Sequence, residues 1–125
     1  MFGFFKDTKE VSASNWETLN TVEQLESIVQ ESMNQPVVVF KHSTRCSISS
    51  MAKSRLELNH SDQTPKIYYL DLIAHRDVSD AVASQWKVRH ESPQVLILSK
   101  GKIVYHTSHG RINMEDLIRI SAENN

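Results

Sequence analysis

The stretch VVVFKHSTRCSIS, residues 37–49, decides the fold, because an apolar run ends in it and a segment with helical spacing begins. Residues 37–40 are β-branched or aromatic and too few for a helix, which predicts a central strand buried on both faces. Cys46 follows this strand and opens a helix predicted from Ser47 to about Leu58. A thiol in the first turn of a helix meets free backbone N–H groups and the positive end of the helix dipole. This environment favours the thiolate, which is the nucleophilic form of cysteine.

Composition indicates one small domain. The 125 residues are 39% hydrophobic and 23% charged, which suits a single modest core. A net charge of -1 gives no reason to expect nucleic acid or an anionic membrane as a partner.

No stretch approaches the roughly 20 apolar residues of a membrane helix, and Met1–Asp7 lacks the long apolar region of a signal peptide. We therefore expect a cytoplasmic protein.

Cys46 is the only cysteine of the chain, so no internal disulfide can form. This fits a reducing compartment. Two interpretations of Cys46 follow from the residues alone: a reactive thiol, or a buried structural cysteine of the kind common in protein cores.

Periodicity along the rest of the chain predicts alternating strands and helices. Residues 11–20 allow only a short extended piece. The further elements predicted are a helix over 21–34 with Thr21 as N-cap and Gln24 completing a capping box, a strand over 66–73, a helix over 77–86, a strand over 94–98 with a hairpin partner over 103–107, and a helix over 114–120 with Asn113 as N-cap.

Apolar residues at helical spacing predict which helix faces are inward. In the first helix they are Val22, Leu25, Ile28, Val29 and Met33. In the helix after Cys46 they are Ile48, Met51, Ala52 and Leu56. Asp71 alone interrupts the apolar third strand, which leaves two interpretations: a carboxylate beneath the thiol that exchanges protons with it, or a solvated residue at the strand end.

This order of elements predicts an α/β three-layer sandwich. Right-handed crossovers place helices on both faces of a mixed sheet. Ligands of such sheets bind beyond the carboxyl ends of the parallel strands, which is where Cys46 is expected.

The segment around Cys46 is free of acidic residues. Between Ser32 and Leu56 the sequence has no Asp or Glu, and its basic residues are Lys41, His42, Arg45, Lys53 and Arg55. An excess of cations also favours a thiolate. Arg45 and His42 flank the thiol and are candidates to bind a carboxylate-bearing thiol, whereas Lys53 and Arg55 are expected to solvate the helix.

Two separated strings resemble one known family. KHSTRCSIS at 41–49, and HESPQ at 90–94 together with Ser108-His109, resemble the monothiol bacilliredoxins, thioredoxin-like stress proteins of bacteria that use bacillithiol. The order of elements from about Trp16 onward is similar to the thioredoxin fold. The resemblance implies a thioredoxin-like domain over 16–125, preceded by an N-terminal extension over 1–15.

The resemblance also implies roles for single residues. Cys46 is the nucleophile, and Ser49 takes the position where dithiol enzymes keep a resolving cysteine. Ser49 is then expected either to donate a hydrogen bond to the thiolate or to cap the helix. Pro93 matches the family proline beside the reactive sulfur, so the Ser92-Pro93 bond is expected to be cis. The substrate-binding candidates are His42, Thr44, Arg45, His90, Ser92, Pro93 and His109.

One position departs from the family pattern. Proline often follows the cysteine directly, and here that residue is Ser47. Because proline at the first helical position is pre-organised for a helix, Ser47 is expected to leave the turn looser without removing the thiol chemistry.

The function implied is that of a monothiol thiol–disulfide oxidoreductase. Cys46 takes a small thiol, bacillithiol by the resemblance, from an S-thiolated protein. With one cysteine, the thiol cannot be released internally, and a second small thiol or another reductase must regenerate Cys46. The expected partners are S-thiolated proteins and a low-molecular-weight thiol co-substrate, with no tightly bound cofactor, metal, nucleic acid or membrane.

Several other site chemistries fit the sequence less well. Ser43-x-x-Cys46 has peroxiredoxin spacing, but Val39 occupies the place of the proline expected there. A Cys-x5-Arg phosphatase loop is contradicted by Ala52 at the arginine position. Metal binding by Cys46 with His42, His90, His106 and His109 lacks suitable spacing, and His106 is expected on the solvent face of its strand.

Three interpretations of other classes stay open. They are a non-catalytic thioredoxin-like adaptor in which Cys46 is buried, a thiol redox sensor, and an iron–sulfur-binding monothiol glutaredoxin-like dimer. Fold alone does not decide among them.

Overall fold

The computed structural model describes residues 16–125, and the predicted extension over 1–15 lies outside the described residues. The elements in chain order are β1 Trp16–Thr18, α1 Gln24–Glu31, β2 Val37–His42, α2 Ser47–Leu58, β3 Lys66–Asp71, α3 Arg76–Trp86, β4 Gln94–Ser99, β5 Lys102–Ser108, a 3-10 turn His109–Arg111 and α4 Met114–Glu123. This is the predicted order of strands and helices. No helix within 16–125 is long and apolar enough to cross a membrane.

The strands form one mixed sheet in the order β1-β3-β2-β4-β5. β1 and β2 each run parallel to β3, β4 is antiparallel to β2, and β5 is antiparallel to β4. β2 is the central strand, and all of its residues are buried. The predicted α/β class and the central, doubly covered strand are confirmed.

A hydrophobic core lies on each face of the sheet. Alternate residues of β2 face opposite ways, so Val38 and Phe40 join one core while Val37 and Val39 join the other. The first core is completed by α2 and α4, through Ala52, Leu56, Met114, Leu117 and Ile120. The second is completed by α1 and α3, through Leu25, Ile28, Val78 and Val82. Helices therefore cover both faces and give the predicted three layers.

The N-terminus of α1 has the predicted capping box. The Gln24 N–H donates to the Thr21 hydroxyl (3.3 Å), and the Thr21 N–H donates to Oε1 of Gln24 (3.0 Å). The regular helix begins at Gln24 and ends at Glu31, so it is shorter than predicted. Met33 lies beyond its end and is exposed, which makes the inward assignment of Met33 wrong.

The inward face of α2 also differs from the prediction. Ile48 and Met51 are 53% and 61% exposed, whereas Ser49, Ala52 and Leu56 are buried. Ala52 and Leu56 are therefore inward as predicted, whereas the inward assignment of Ile48 and Met51 is wrong. A small hydroxyl residue thus takes the inward place in the first turn, and two apolar side chains face solvent near Cys46.

β3 ends at Asp71, two residues earlier than predicted, because its side chain turns the chain. Asp71 Oδ1 accepts hydrogen bonds from the N–H groups of Ile73 (3.1 Å) and Ala74 (3.3 Å). Asp71 is thus the last residue of the strand and is partly exposed, which agrees with the strand-end interpretation, and its carboxylate also holds the following backbone in an Asx-type turn.

The C-terminal half follows the predicted hairpin and helix. Lys100 and Gly101 have φ values of 53° and 78° and join β4 to β5, as two-residue hairpin turns require. Asn113 Oδ1 accepts the Asp116 N–H (2.8 Å) and is the predicted N-cap of α4. α4 extends to Glu123, three residues beyond the predicted end.

Asn113→Ala is expected to lower the free energy of unfolding by about 1 kcal/mol, because it leaves an N–H of the first turn of α4 without its side-chain acceptor. Urea unfolding measures this change. Asn34→Ala, at an exposed turn residue, is the matched control and is expected to change little. Equal effects of the two variants would contradict a stabilising role for the cap.

Candidate active site

Cys46 lies at the N-terminus of α2, beyond the carboxyl end of β2. Its N–H donates to the Ser43 carbonyl (3.2 Å), which closes a turn, and its own carbonyl accepts the Ser50 N–H (3.0 Å) as the first hydrogen bond of the helix. The backbone of Cys46 is extended, with φ -114° and ψ 124°. The residue is a half-buried free cysteine. This differs from the fully buried cysteine that the structural interpretation and the adaptor hypothesis require.

The Ser49 hydroxyl joins β2 to the turn that carries Cys46. It accepts the Ser43 N–H (3.0 Å) and lies 2.7 Å from Nδ1 of His42. Ser49 is completely buried. The two predicted roles were a hydrogen bond to the thiolate or a helix cap, whereas the partners of its hydroxyl in residues 16–125 are His42 and Ser43. Ser49 therefore connects the strand end to the turn around the sulfur.

His42 is a buried support of this turn. It is 4% exposed, and its ring centroid lies 5.8 Å from that of Phe40 and 5.6 Å from that of Tyr69. Burial lowers the pKa of His42, the nearby charge of Lys53 lowers it further, and Asp71 opposes both effects. A neutral ring enclosed in this way has no surface for a ligand in solvent. The expectation that His42 contacts substrate therefore does not agree with its burial.

The Ser92-Pro93 peptide bond is cis, as predicted. The register of β2 and β4 pairs Lys41 with Gln94, so Pro93 lies opposite the end of β2 from which the chain leads to Cys46. The Pro93 carbonyl accepts the His109 N–H (3.0 Å). The Ser92 hydroxyl is buried and has no hydrogen-bond partner among the described residues. Two strings far apart in sequence thus meet at one end of the sheet.

Glu91 ties the same segment to the end of β5. The Ser108 hydroxyl donates to Glu91 Oε1 (2.5 Å). This hydrogen bond lowers the pKa of Glu91, and the charge of His109 lowers it further. Together with the His109 contact to Pro93, it joins the strings 90–94 and 108–109 that the sequence singled out.

Lys41 is buried on the face of β2 opposite His42. Its ammonium lies 2.8 Å from Nδ1 of His90, and the residue is 0% exposed. Burial lowers the pKa of Lys41 to about 8, although the carboxylates of Asp80 and Glu91 oppose the change. The sequence interpretation placed Lys41 among the cations around the thiol. Successive side chains of a strand point to opposite faces. Extending the predicted strand to residue 42 would therefore have placed Lys41 and His42 on opposite faces of the sheet.

The other cations near Cys46 in sequence have partners elsewhere. Lys53 pairs with Glu57 (2.8 Å) and lies 5.9 Å from the ring centroid of Trp16. Arg55 donates to the carbonyls of Ile112 (3.0 Å) and His109 (3.1 Å). The prediction that both merely solvate the helix was wrong, because Lys53 covers an aromatic surface and Arg55 anchors the 3-10 turn.

The substrate-binding candidates differ in accessibility. Thr44 and Arg45 are exposed in the turn before Cys46, and His90 and His109 are also exposed. His90, however, has its Nδ1 engaged by Lys41. Within residues 16–125, no group of three or more His, Cys, Asp or Glu side chains is arranged to hold a metal ion. His106 is exposed on β5, as predicted.

Comparisons with known proteins agree with this geometry. The family model described as "Monothiol bacilliredoxin BrxC" matches residues 17–117. A solved structure described as a candidate oxidoreductase with a thioredoxin fold is 32% identical, with a TM-score of 0.76, over 86% of this chain and 95% of that chain.

Two thioredoxins are more distant and are similar in fold. The thioredoxin of Fasciola hepatica is 17% identical, with a TM-score of 0.66, over 87% of this chain and 99% of its own. That of Trypanosoma brucei brucei is 17% identical, with a TM-score of 0.67, over 88% and 92%. The family match spans the turn of Cys46 and the cis-proline segment alike. This chain therefore belongs to the monothiol bacilliredoxin family, with the thioredoxin fold of thiol oxidoreductases.

Proposed function

We propose that this protein removes a low-molecular-weight thiol, bacillithiol, from S-thiolated proteins through Cys46. The observation that carries the proposal is a single, half-buried thiol at the N-terminus of α2, at the same end of the sheet as the cis Ser92-Pro93 bond. Family membership supports thiol redox chemistry, and the family name supports bacillithiol as the co-substrate. The lone thiol also suits a reducing compartment, the cytoplasm.

The chemistry is two successive exchanges at sulfur. The Cys46 thiolate attacks the small-thiol sulfur of a mixed disulfide, and the bond to the substrate protein breaks. The protein leaves as a thiolate and takes a proton from solvent, while Cys46 retains the small thiol. A second small thiol, as its thiolate, then attacks the bound small-thiol sulfur. Its products are the symmetrical small disulfide and the Cys46 thiolate.

The start of α2 leaves backbone N–H groups free at the end of the helix that carries Cys46. The first hydrogen bond of α2 is the one from Ser50 to Cys46, so the N–H groups before Ser50 are not used inside the helix. They add to the positive end of the helix dipole, typically about 0.3–1 kcal/mol at an exposed site. Arg45, exposed in the same turn, is positioned to attract a carboxylate-bearing thiol.

The surface near the thiol suits a protein as the larger substrate. Ile48 and Met51 of α2 are 53% and 61% exposed, two and five residues after Cys46. Burying such side chains against a partner is favourable, at roughly 25 cal/mol per Å² of apolar area. An apolar area beside a thiolate therefore favours an S-thiolated protein over a free small disulfide.

Cys46→Ser is expected to abolish transfer of the small thiol, because an alcohol does not exchange with a disulfide under these conditions. The assay incubates wild-type and variant protein with a bacillithiol-modified test protein and weighs both partners by mass spectrometry. Wild-type protein is expected to gain the small thiol as the test protein loses it.

A glutathione-modified test protein in parallel decides the choice of thiol. Faster transfer from the bacillithiol-modified protein supports the proposal, and equal rates would contradict the assignment of bacillithiol. No transfer from either protein, together with alkylation of Cys46 only after unfolding, would support the adaptor instead.

Ser49→Ala is expected to lower the free energy of unfolding by about 1–3 kcal/mol, because it leaves Nδ1 of the buried His42 and the half-buried Ser43 N–H without their hydrogen-bond partner. The transfer rate is expected to fall as well, since the turn that carries Cys46 loses its attachment to β2. Ser50→Ala, at the exposed neighbouring residue, is the matched control. Slower transfer with unchanged urea unfolding would instead indicate a direct hydrogen bond from Ser49 to the thiolate.

A further inference from the structure

We propose that Lys41 is a positioning residue that fixes the cis-proline segment, residues 89–93, for substrate docking by holding His90. The inference rests on the proposed function, since it assumes that the substrate docks against this segment beside Cys46. Its basis is the juxtaposition of a fully buried ammonium in the central strand with an imidazole of that segment, 2.8 Å apart.

The burial of Lys41 requires a partner. Lysine is among the residues least often buried completely, and an unpaired buried ammonium is strongly destabilising. The side-chain hydrogen bond of Lys41 within residues 16–125 is the one to His90. His90 is itself exposed, so its ring covers the ammonium from the solvent side. The pairing thus attaches an otherwise exposed loop residue to the interior of the sheet.

Four contacts attach the segment to the rest of the protein. The contact from Lys41 is the one made by the strand that precedes Cys46. The Gln94 side chain donates to the Arg89 carbonyl (3.0 Å), Ser108 holds Glu91, and the His109 N–H holds the Pro93 carbonyl. These three contacts come from β4, from the last residue of β5 and from the first residue of the 3-10 turn. Lys41 belongs to β2, the strand that continues through the turn to Cys46, so it sets the segment relative to the sulfur.

The hydrogen bond has a defined direction. An ammonium has donors and no acceptor, so Lys41 donates and Nδ1 of His90 accepts. The ring is therefore neutral, with its proton on Nε2. Protonation of Nδ1 replaces the acceptor by a donor and sets two cations in contact, and the exposed ring then swings into solvent.

Burial and the charges around Lys41 and His90 determine the pH at which the His90 ring is protonated. Burial lowers the pKa of His90 below its ordinary value of 6.5, and the charges of Lys41 and Arg76 lower it further. Asp80 on α3 and Glu91 oppose the change. Because the folded-state pKa is depressed, the contact is complete above pH 6.5 and is lost as the pH falls through that lower value. The pKa of His42, on the opposite face of β2, is also lowered, and His90 is not among the groups that shift it.

Three variants test the proposal. His90→Ala removes the acceptor at an exposed residue, where water can reach Lys41, so the variant is expected to fold. His90→Asn keeps an acceptor close to the position of Nδ1 but does not titrate. Lys41→Met replaces the ammonium by an apolar side chain of similar length.

The expected kinetic result is a change in KM rather than in kcat for the S-thiolated test protein. His90→Ala and Lys41→Met should raise KM roughly tenfold, because a displaced docking segment is costly even far from the reacting atoms. His90→Asn should recover most of that loss. Wild-type KM should rise as the pH falls below 6.5 and through the lowered pKa of His90, and the rise should be largely absent in His90→Asn, in which His42 is unchanged.

Two measurements are independent of the proposed function. The ring nitrogen shifts of His90 should indicate the Nε2–H tautomer in wild-type protein and a mixture in Lys41→Met. Amide exchange in residues 89–92 should quicken in His90→Ala and return towards the wild-type rate in His90→Asn.

The outcomes separate the two proposals. Amide exchange and ring tautomer unchanged by the variants would overturn the role of Lys41, whether or not the protein transfers a thiol. KM values of His90→Ala within about twofold of wild type would overturn it too. Absence of thiol transfer in wild-type protein, with the expected exchange and tautomer results, would overturn the proposed function and leave Lys41 as an anchor of this segment.

Discussion

The burial of β2 on both faces is the constraint on which the site depends. Its first four residues are apolar and fill two cores, but its last two are Lys41 and His42. Each polar side chain needs a partner inside the protein, and the alternation of the strand directs the two to opposite faces. His42 is met by Ser49, which also holds the turn before Cys46. Lys41 is met by His90, which precedes the cis-proline. The hydrogen bonds that give Lys41 and His42 their partners therefore also position the two sides of the candidate site, which are the turn before Cys46 and the cis-proline segment.

The stretch around Cys46 has basic residues and no acidic ones, but most of these basic residues have partners away from the sulfur. Lys41 is buried away from the sulfur, Lys53 is paired with Glu57, and Arg55 donates to backbone carbonyls. What remains at the thiol is the N-terminus of α2 and the exposed Arg45. The positive character there is therefore local and partly carried by the backbone, which a substitution of one surface lysine would not remove.

The fold was predictable because its signals are local and consistent. The apolar run in β2, the capping residues Thr21 and Asn113 and the glycine of the hairpin each indicate one structure, and the order of elements follows. The site was less predictable, since its key contacts join residues far apart in sequence, such as Lys41 and His90. In α2, Ala52 and Leu56 were predicted inward correctly, but Ile48 and Met51 were not, because apolar residues lie outward there and the buried hydroxyl of Ser49 has no periodic signature. The side of β2 on which Lys41 lies was recoverable from strand alternation alone.

The single thiol of this chain determines how its fraction in a mixed disulfide would depend on the concentrations of small thiol and small disulfide. A dithiol protein that reacts with a small disulfide closes an internal disulfide and releases two small thiols, so its ratio of oxidised to reduced form varies inversely with the square of the thiol concentration. With Cys46 alone, the equilibrium exchanges one small disulfide for one small thiol. The occupied fraction then depends only on the ratio of disulfide to thiol and is unaffected by their total amount. In the proposed exchange, the half-exposed Cys46 would therefore follow a ratio rather than a concentration.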